Sequence, residues 1–330
     1  MSTAVLINLK ARRGSESLAR TVRAHLPDVP LAMTRSLDEA KAFVARLRSE
    51  ASHPELILSG GGDGTAVSLL NEWDRDNIPT IGLVPLGTGN GWARSTGSPP
   101  FSQAIRRIAR HRGRRPWPTR RFGLVEVDGV LSPWAGTGWD AEILADYQRI
   151  MRKLPHKAAS WIGGFPTYMV SLFGVTVPRM SVSPRTNVRL YNTGSDALII
   201  DASGKPVRVD DGGAGALLYE GPLGVCGCGT IDELGLGFKA FPFANARPGR
   251  MAARIYAATA LEGSRYVRKL WRGEHPLPKD SQWLLDSCRM EFDRPVNFEI
   301  GGDVIGKRTS VEFKLARHKA TLLDWTKLAA

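Results

Sequence analysis

The sequence predicts two domains of different class, an α/β domain followed by an antiparallel all-β domain. Up to residue 122, short apolar runs alternate with stretches whose apolar residues recur every three to four positions, the rhythm of strand–helix units around a parallel sheet. After Phe122 that rhythm gives way to short strands separated by turn clusters. Two glycine-rich loops, within 60–64 and 87–91, each follow a strand-like run and precede a helix-like one. Parallel strands would carry both loops to the C-terminal edge of one sheet, where open α/β sheets bind ligands.

Ala4–Leu9 (AVLINL) reads as a first buried strand, and Lys10–Gly14 as a basic loop into a helix whose Leu18, Val22 and Leu26 share a face. Ser36 with Glu39 makes a capping box for a second helix with Leu37, Ala40, Phe43, Val44 and Leu47 inward. Glu55–Ser59 is the next strand. Gly60, Gly61, Gly62, Asp63 and Gly64 break it, and Thr65 is placed to cap a helix whose buried face is Ala66, Leu69, Leu70 and Trp73. Thr80–Val84 repeats the strand, Pro85–Gly91 the loop, and Trp92–Ser95 the start of a short helix. The glycines let the backbone come close to a ligand and turn N–H groups toward it, and a helix N-terminus adds positive charge, so both loops suit an anion such as phosphate.

Phe101–Arg112 is amphipathic, with Phe101, Ile105, Ile108 and Ala109 inward and Arg106, Arg107, Arg110 and Arg112 largely outward; Arg114, Arg115, Arg120 and Arg121 follow. Such a run is a solvated face or a surface for anionic lipid headgroups. Asp128-Gly129 supplies the turn of a hairpin in FGLVEV-DG-VLSPW. Strands then recur at 188–191, 197–200, 216–219, 235–240, 289–292, 296–300 and 311–315, which predicts a sandwich. Between them, Ala158–Pro178 holds no charge; its glycines, proline and hydroxyls argue against a spanning helix and for a flap against lipid or a buried core helix.

Lys and Arg exceed Asp and Glu by 45 to 32, a formal +13, which calls for an anionic partner: nucleotide, nucleic acid or acidic membrane. Nucleic acid would explain the charge but not the loops. The N-terminal apolar run is too short for a secretory signal, so a cytoplasmic protein is expected. Cys226, Cys228 and Cys288 lack ligand spacing and read as reduced structural thiols.

Gly61-Gly62-Asp63-Gly64-Thr65, with Pro85-Leu86-Gly87-Thr88-Gly89-Asn90 and Ala93-Arg94, resembles the catalytic domain of the diacylglycerol kinase family, which includes sphingosine and ceramide kinases. The first motif is shared with NAD kinases; the second loop looks like the lipid kinase branch. Weaker echoes are Asn8, Gly138-Trp139-Asp140-Ala141 and Gly302-Asp303. The resemblance implies a doubly wound, Rossmann-like nucleotide-binding domain over 1–122 and a β-sandwich lipid-substrate domain over 123–330, whose last twenty or so residues return to the first.

It further implies an ATP- and Mg²⁺-dependent lipid kinase peripherally associated with the inner face of a membrane. Asn8, Gly60, Gly61, Gly62, Gly64, Thr65, Gly87, Thr88, Gly89, Asn90 and Arg94 would then hold nucleotide, and Asp63 would serve catalysis and the metal. Asp140 would face the substrate, and Asp303 would take the place of the family's general-base Glu. Gly91, Pro248-Gly249 and Gly301 stand where the family commonly carries acids, which leaves open a nucleotide- or lipid-binding pseudokinase beside the kinase, with an NAD-kinase-like enzyme as a further alternative. The acceptor and the oligomeric state stay open.

Overall fold

The computed structural model describes residues 3–49, 53–114, 116–153 and 169–328. The chain divides into a first unit, Met1–Phe122 with His318–Ala330, and a second, Gly123–Arg317.

In the first unit β1 (Thr3–Asn8), α1 (Ser17–His25), β2 (Leu31–Thr34), α2 (Leu37–Ser49), β3 (Leu56–Gly61), α3 (Asp63–Asn71), β4 (Thr80–Pro85), α4 (Gly91–Ser95), α5 (Phe101–His111) and β5 (Thr119–Phe122) follow in order. The chain's last strand, β18 (Ala320–Leu323), joins them. The sheet order is β2-β1-β3-β4-β18-β5, parallel throughout except for the antiparallel edge strand β5. β1 and β3 are buried along nearly their whole length because both faces are covered, so their sequences are continuous apolar runs without alternation. Val22 from α1, Leu26 at its C-cap, and Phe101, Ala104, Ile105 and Ile108 from α5 share one core with Val5, Ile7, Leu56 and Leu58. The alternate residues Ala4, Leu6 and Ile57 are equally buried, which leaves α2 and α3 to cover the other face.

Several boundaries move. β3 runs through Gly60 and Gly61, so these glycines continue the strand and do not break it. α3 starts at Asp63 with Gly62 as its N-cap, which places Thr65 inside the first turn and not at the cap. Leu37, expected inward, is 49% exposed at the start of α2. The Ser36 hydroxyl accepts the Glu39 N–H at 3.1 Å, but Glu39 reaches back to the N–H of Arg35, one residue before the position a capping box uses.

The second unit opens with the hairpin β6 (Val125–Val127) and β7 (Val130–Ser132), where Asp128 and Gly129 both have positive φ, as a type I′ turn requires. It continues through β8 (Trp134–Gly138), α6 (Trp139–Lys153), a wider π-type turn (Ser171–Thr176), α7 (Val177–Val182), β9 (Asn187–Asn192), β10 (Leu198–Ile200), β11 (Pro206–Arg208), β12 (Leu217–Pro222), β13 (Val225–Gly229) and β14 (Met251–Tyr256). The helices α8 (Ala260–Arg265) and α9 (Val267–Arg272) lead to β15 (Asp280–Leu285), β16 (Ser287–Ile300) and β17 (Asp303–Leu315).

These strands form a large antiparallel β unit of twelve hydrogen-bonded strands, continuous because β16 is long enough to pair with β9 at one end and β8 at the other. The two expected strands at 289–292 and 296–300 are both parts of β16, joined across a bulge. The strand expected at 235–240 is absent: Gly235, Leu236 and Gly237 all have positive φ, and only an isolated Gly235–Phe238 bridge remains. The sheet's main core contains Val188, Cys226, Ile255, Phe298 and Phe313. Of the uncharged stretch Ala158–Pro178, residues 158–168 lie outside the described residues.

Candidate functional site

β1, β3 and β4 end side by side, and their loops leave the sheet where the chain reverses direction, β2 lying to one side of β1 and β3 to the other. Ligands bind open α/β sheets at such switch points. Four tethers hold the loops. Asn8 Nδ2 donates to Thr65 Oγ1 at 2.9 Å, joining the end of β1 to the first turn of α3. Arg13 N–H donates to the Leu86 carbonyl at 2.9 Å. Leu86 and Gly87 N–H both donate to the Gly61 carbonyl, at 2.9 and 3.1 Å. Asp63 then receives the Gly91 and Trp92 N–H groups, at 2.9 Å on Oδ2 and 3.1 Å on Oδ1.

The last pair explains why Asp63 stands at the start of α3. Its carboxylate caps α4, a short helix with no cap of its own, and supplies the negative charge that a helix N-terminus favours. Asn90, the residue before α4, sits in the left-handed region at φ 55°, and its side-chain amide accepts from the Gly87 N–H and donates to the Gly87 carbonyl. Gly62 and Gly87 meet where the loops cross: a Cβ on Gly87 would lie 2.5 Å from the Gly62 Cα. Gly87 therefore requires glycine for close backbone approach, while a Cβ on Gly62 would sit 3.3 Å from the Gly87 Cα, a tight but milder contact.

The sequence-predicted residues thus divide. Gly60 and Gly61 are buried in the strand, and Asn90 is 9% exposed inside its loop, so all three act on the shape of the site. Gly62, Gly64, Thr65, Gly87, Thr88 and Gly89 are half-buried along the loop surface, and Arg94 is exposed in the last turn of α4. α3 has no side-chain cap at Gly62, which leaves its first turn available to an anion as the Asp63-capped α4 is not. Among the described residues no three His, Cys, Asp or Glu side chains converge as a metal cage.

The second unit holds its own chemistry, part of which the sequence reading missed. Across one face of the sheet a lateral row runs Glu299 (β16), Gly136 (β8), Gly227 (β13), Arg254 (β14) and Gln282 (β15). Two glycines in the middle pave the floor of a small pocket whose enclosed part has room for about one water. Trp134, Val225, Phe238, Phe241, Tyr256 and Leu270 supply most of its apolar wall, and Asp140 and Arg254 its charges. Arg254 is 4% exposed and fully engaged, by Asp280 at 2.8 and 2.9 Å and by the Ala240 carbonyl at 2.7 Å. The Tyr256 hydroxyl, on a side chain 1% exposed, has no partner among the described residues. A buried hydroxyl left unpaired is costly unless a ligand completes it.

Asp140 lies in the first turn of α6 and accepts the Ala141 N–H at 2.9 Å. Its carboxyl is hydrogen-bonded to that of Glu299, which is 2% exposed. Burial pushes both groups up from their usual range, and the negative charges of Asp140 and Asp303 push Glu299 further. Asp303, at the start of β17, is exposed, and the atoms crowding it raise its carboxyl by desolvation, an effect its contact with water limits. The three cysteines are free and buried, with Cys228 and Cys288 sulfurs 3.6 Å apart, and burial raises Cys226 and Cys228 well above the ordinary thiol range. Such thiols are inert structural groups. No helix among the described residues is long and apolar enough to cross a membrane.

Residues 2–116 match the family model of the diacylglycerol kinase catalytic domain, the family that the loop motifs resemble. A YegS-like lipid kinase of Enterobacter sp. (strain 638) is 32% identical over 99 residues, covering 28% of this chain and 33% of its own length. The match thus spans about a third of that relative. Two solved structures cover 99% of this chain: a diacylglycerol kinase from Bacillus anthracis str. Sterne, 14% identical over 98% of its own length with a TM-score of 0.64, and an NAD kinase from Archaeoglobus fulgidus in complex with ATP, 10% identical over 95% with a TM-score of 0.51. At these identities the likeness is one of fold, a Rossmann-like N-terminal part with a large antiparallel sheet.

Proposed function

We propose that the chain is an ATP-dependent lipid kinase, which transfers the γ-phosphate to the primary hydroxyl of a lipid such as diacylglycerol, ceramide or sphingosine. The observation that carries this is the pairing of equipment: tethered, glycine-lined loops at a parallel-sheet edge in the first unit, and an apolar pocket with a carboxyl and an unpartnered hydroxyl in the second. The first suits triphosphate; the second carries the apolar wall and polar groups that an apolar molecule with a hydroxyl at one end would meet once the pocket opens to admit it. The family match over 2–116 and the ATP in the archaeal neighbour support the nucleotide assignment.

In this reading α3's first turn, with Gly62, Gly64, Thr65, Gly87, Thr88 and Gly89, cradles phosphate. The acceptor oxygen attacks the γ-phosphorus, the bond to the β-phosphate oxygen breaks and ADP leaves, while Asp303 takes the hydroxyl proton. Glu299 holds Asp140 in place as a positioning residue, and Asp140 with Tyr256 orients the acceptor's polar end. Mg²⁺ would neutralise phosphate charge, and Asp63 is its candidate holder. Both Asp63 oxygens already receive N–H groups, which suits an ion brought on the nucleotide and reached through water.

The same engagement of Asp63, with no converging acids elsewhere among the described residues, favours a second reading, a pseudokinase that binds nucleotide or lipid without transfer. Phosphate transfer by wild type and Asp303→Ala, measured beside ATP affinity, separates the two. The kinase reading expects turnover lowered at least tenfold with ATP affinity kept; no transfer by wild type with ATP bound means the pseudokinase. Labelling of NAD in place of lipid would point to the NAD-kinase-like alternative.

A further inference from the structure

The helices α8 and α9 have two unlike sides. Inward, Leu270 lines the apolar pocket, and Gly263 packs so closely on Trp139 that a Cβ there would lie 2.0 Å from the ring. Outward, Leu261 and Val267 are 60% and 48% exposed, and Arg265, Arg268, Lys269 and Arg272 stand among them, all exposed. Glu262, the only acid within the two helices, is already bound by Lys279 at 2.6 Å. Arg265, Arg268 and Lys269 have no acidic partner among the described residues, and Arg272 has Glu274 only at 3.8 Å. α7 packs against α8, and the π-type turn just before it exposes Val175, at 37%.

Scattered exposed aliphatic residues are ordinary on a protein surface. Here they are interleaved with unpaired cations on the outer side of a pocket wall, the composition of an interfacial surface. The arginine-rich face of α5 differs: Arg106 and Arg110 are exposed, but Phe101, Ala104, Ile105 and Ile108 are all buried, so that face offers charge alone.

We propose that the outer face of α8–α9 docks on an anionic phospholipid bilayer, with the cations at the headgroups and Leu261 and Val267 in the acyl boundary. The pocket wall then lies against the membrane that supplies its apolar ligand. The proposal rests on the pocket being a lipid site.

Sedimentation with vesicles of phosphatidylcholine, with or without about one-third phosphatidylglycerol, tests it. Wild type binds the anionic vesicles preferentially. Replacing Arg265, Arg268 and Lys269 by Gln lowers that partition about a hundredfold, at about 1 kcal/mol per cation. Leu261→Ser with Val267→Ser lowers it roughly tenfold, whereas Arg106→Gln with Arg110→Gln changes it less than about threefold. All these residues except Arg106 and Arg110, which belong to α5, lie on α8–α9, all are exposed, and an unchanged thermal midpoint confirms folding in each variant. Wild-type binding by the triple variant, equal binding to neutral vesicles, or a loss confined to the α5 variant overturns the proposal.

Transfer to a short-chain diacylglycerol in detergent micelles separates this from the kinase reading. Transfer with vesicle binding indifferent to α8–α9 sinks the docking surface alone. No transfer, with vesicle binding that falls in the triple variant, keeps the docking surface and sinks the kinase.

Discussion

Replacing Asp63 tests whether the carboxylate at the first loop holds the second. Its two oxygens receive Gly91 and Trp92 N–H groups at 2.9 and 3.1 Å, and α4 has no other cap. A hydrogen bond to a charged group contributes about 1.5–3 kcal/mol and a helix N-cap about 1 kcal/mol. These overlap, because both describe the same N–H groups, and Asp63 is half-buried, so Asp63→Ala should cost about 2 kcal/mol and Asp63→Asn, which keeps one acceptor oxygen, about 1 kcal/mol. Calorimetry should show the first unit's transition falling by about 8 °C and 4 °C, at about 4 °C per kcal/mol. Hydrogen exchange at the Gly91 and Trp92 amides should accelerate in the same order. Wild-type melting and protection in both variants, with phosphate transfer lost, would refute the clamp and leave Asp63 a role toward ligand or metal alone.

Two further outcomes follow from the geometry. Gly87→Ala should lower ATP affinity at least tenfold and cost about 1–3 kcal/mol, because its Cβ would lie 2.5 Å from the Gly62 Cα and force the loops apart; isothermal titration and denaturant unfolding read both effects. Glu299 is raised in the folded state, so its contribution is full below its unfolded value near 4.5 and is lost as pH rises through the folded one. Glu299→Gln, which cannot ionise, should therefore flatten the second unit's loss of stability toward alkaline pH; a slope equal to wild type would show that Glu299 is not held protonated.

The parallel sheet was legible because its strands are unbroken apolar runs and its helices repeat every three to four residues. The loops were legible from their glycines. What Asp63 does was not, since its partners Gly91 and Trp92 are distant in sequence and joined to it only by the fold. The second unit defeated strand reading at β8 and β13, WAGTG and VCGCG, where glycine normally argues against a strand. Here the glycines admit close strand approach: a Cβ on Gly136 would lie 2.6 Å from the Cys226 carbonyl oxygen, and one on Gly227 would lie 2.5 Å from that of Ala135. The opposite error at 235–240 came from alternating glycine and apolar residues, which positive φ turns into a loop. Glu299 lies between Phe298 and Ile300, and alternation assigns such a residue to solvent; it is buried because α6 packs on β16.

Phosphate transfer is read by incubating the chain with γ-labelled Mg·ATP and diacylglycerol, ceramide, sphingosine or NAD, each beside Asp303→Ala. A lipid kinase yields one labelled lipid, formed at least tenfold more slowly by the variant at equal ATP affinity. Absence of labelled lipid while ATP binds, or equal rates in wild type and variant, would contradict it, the first denying the transfer and the second Asp303's part in it.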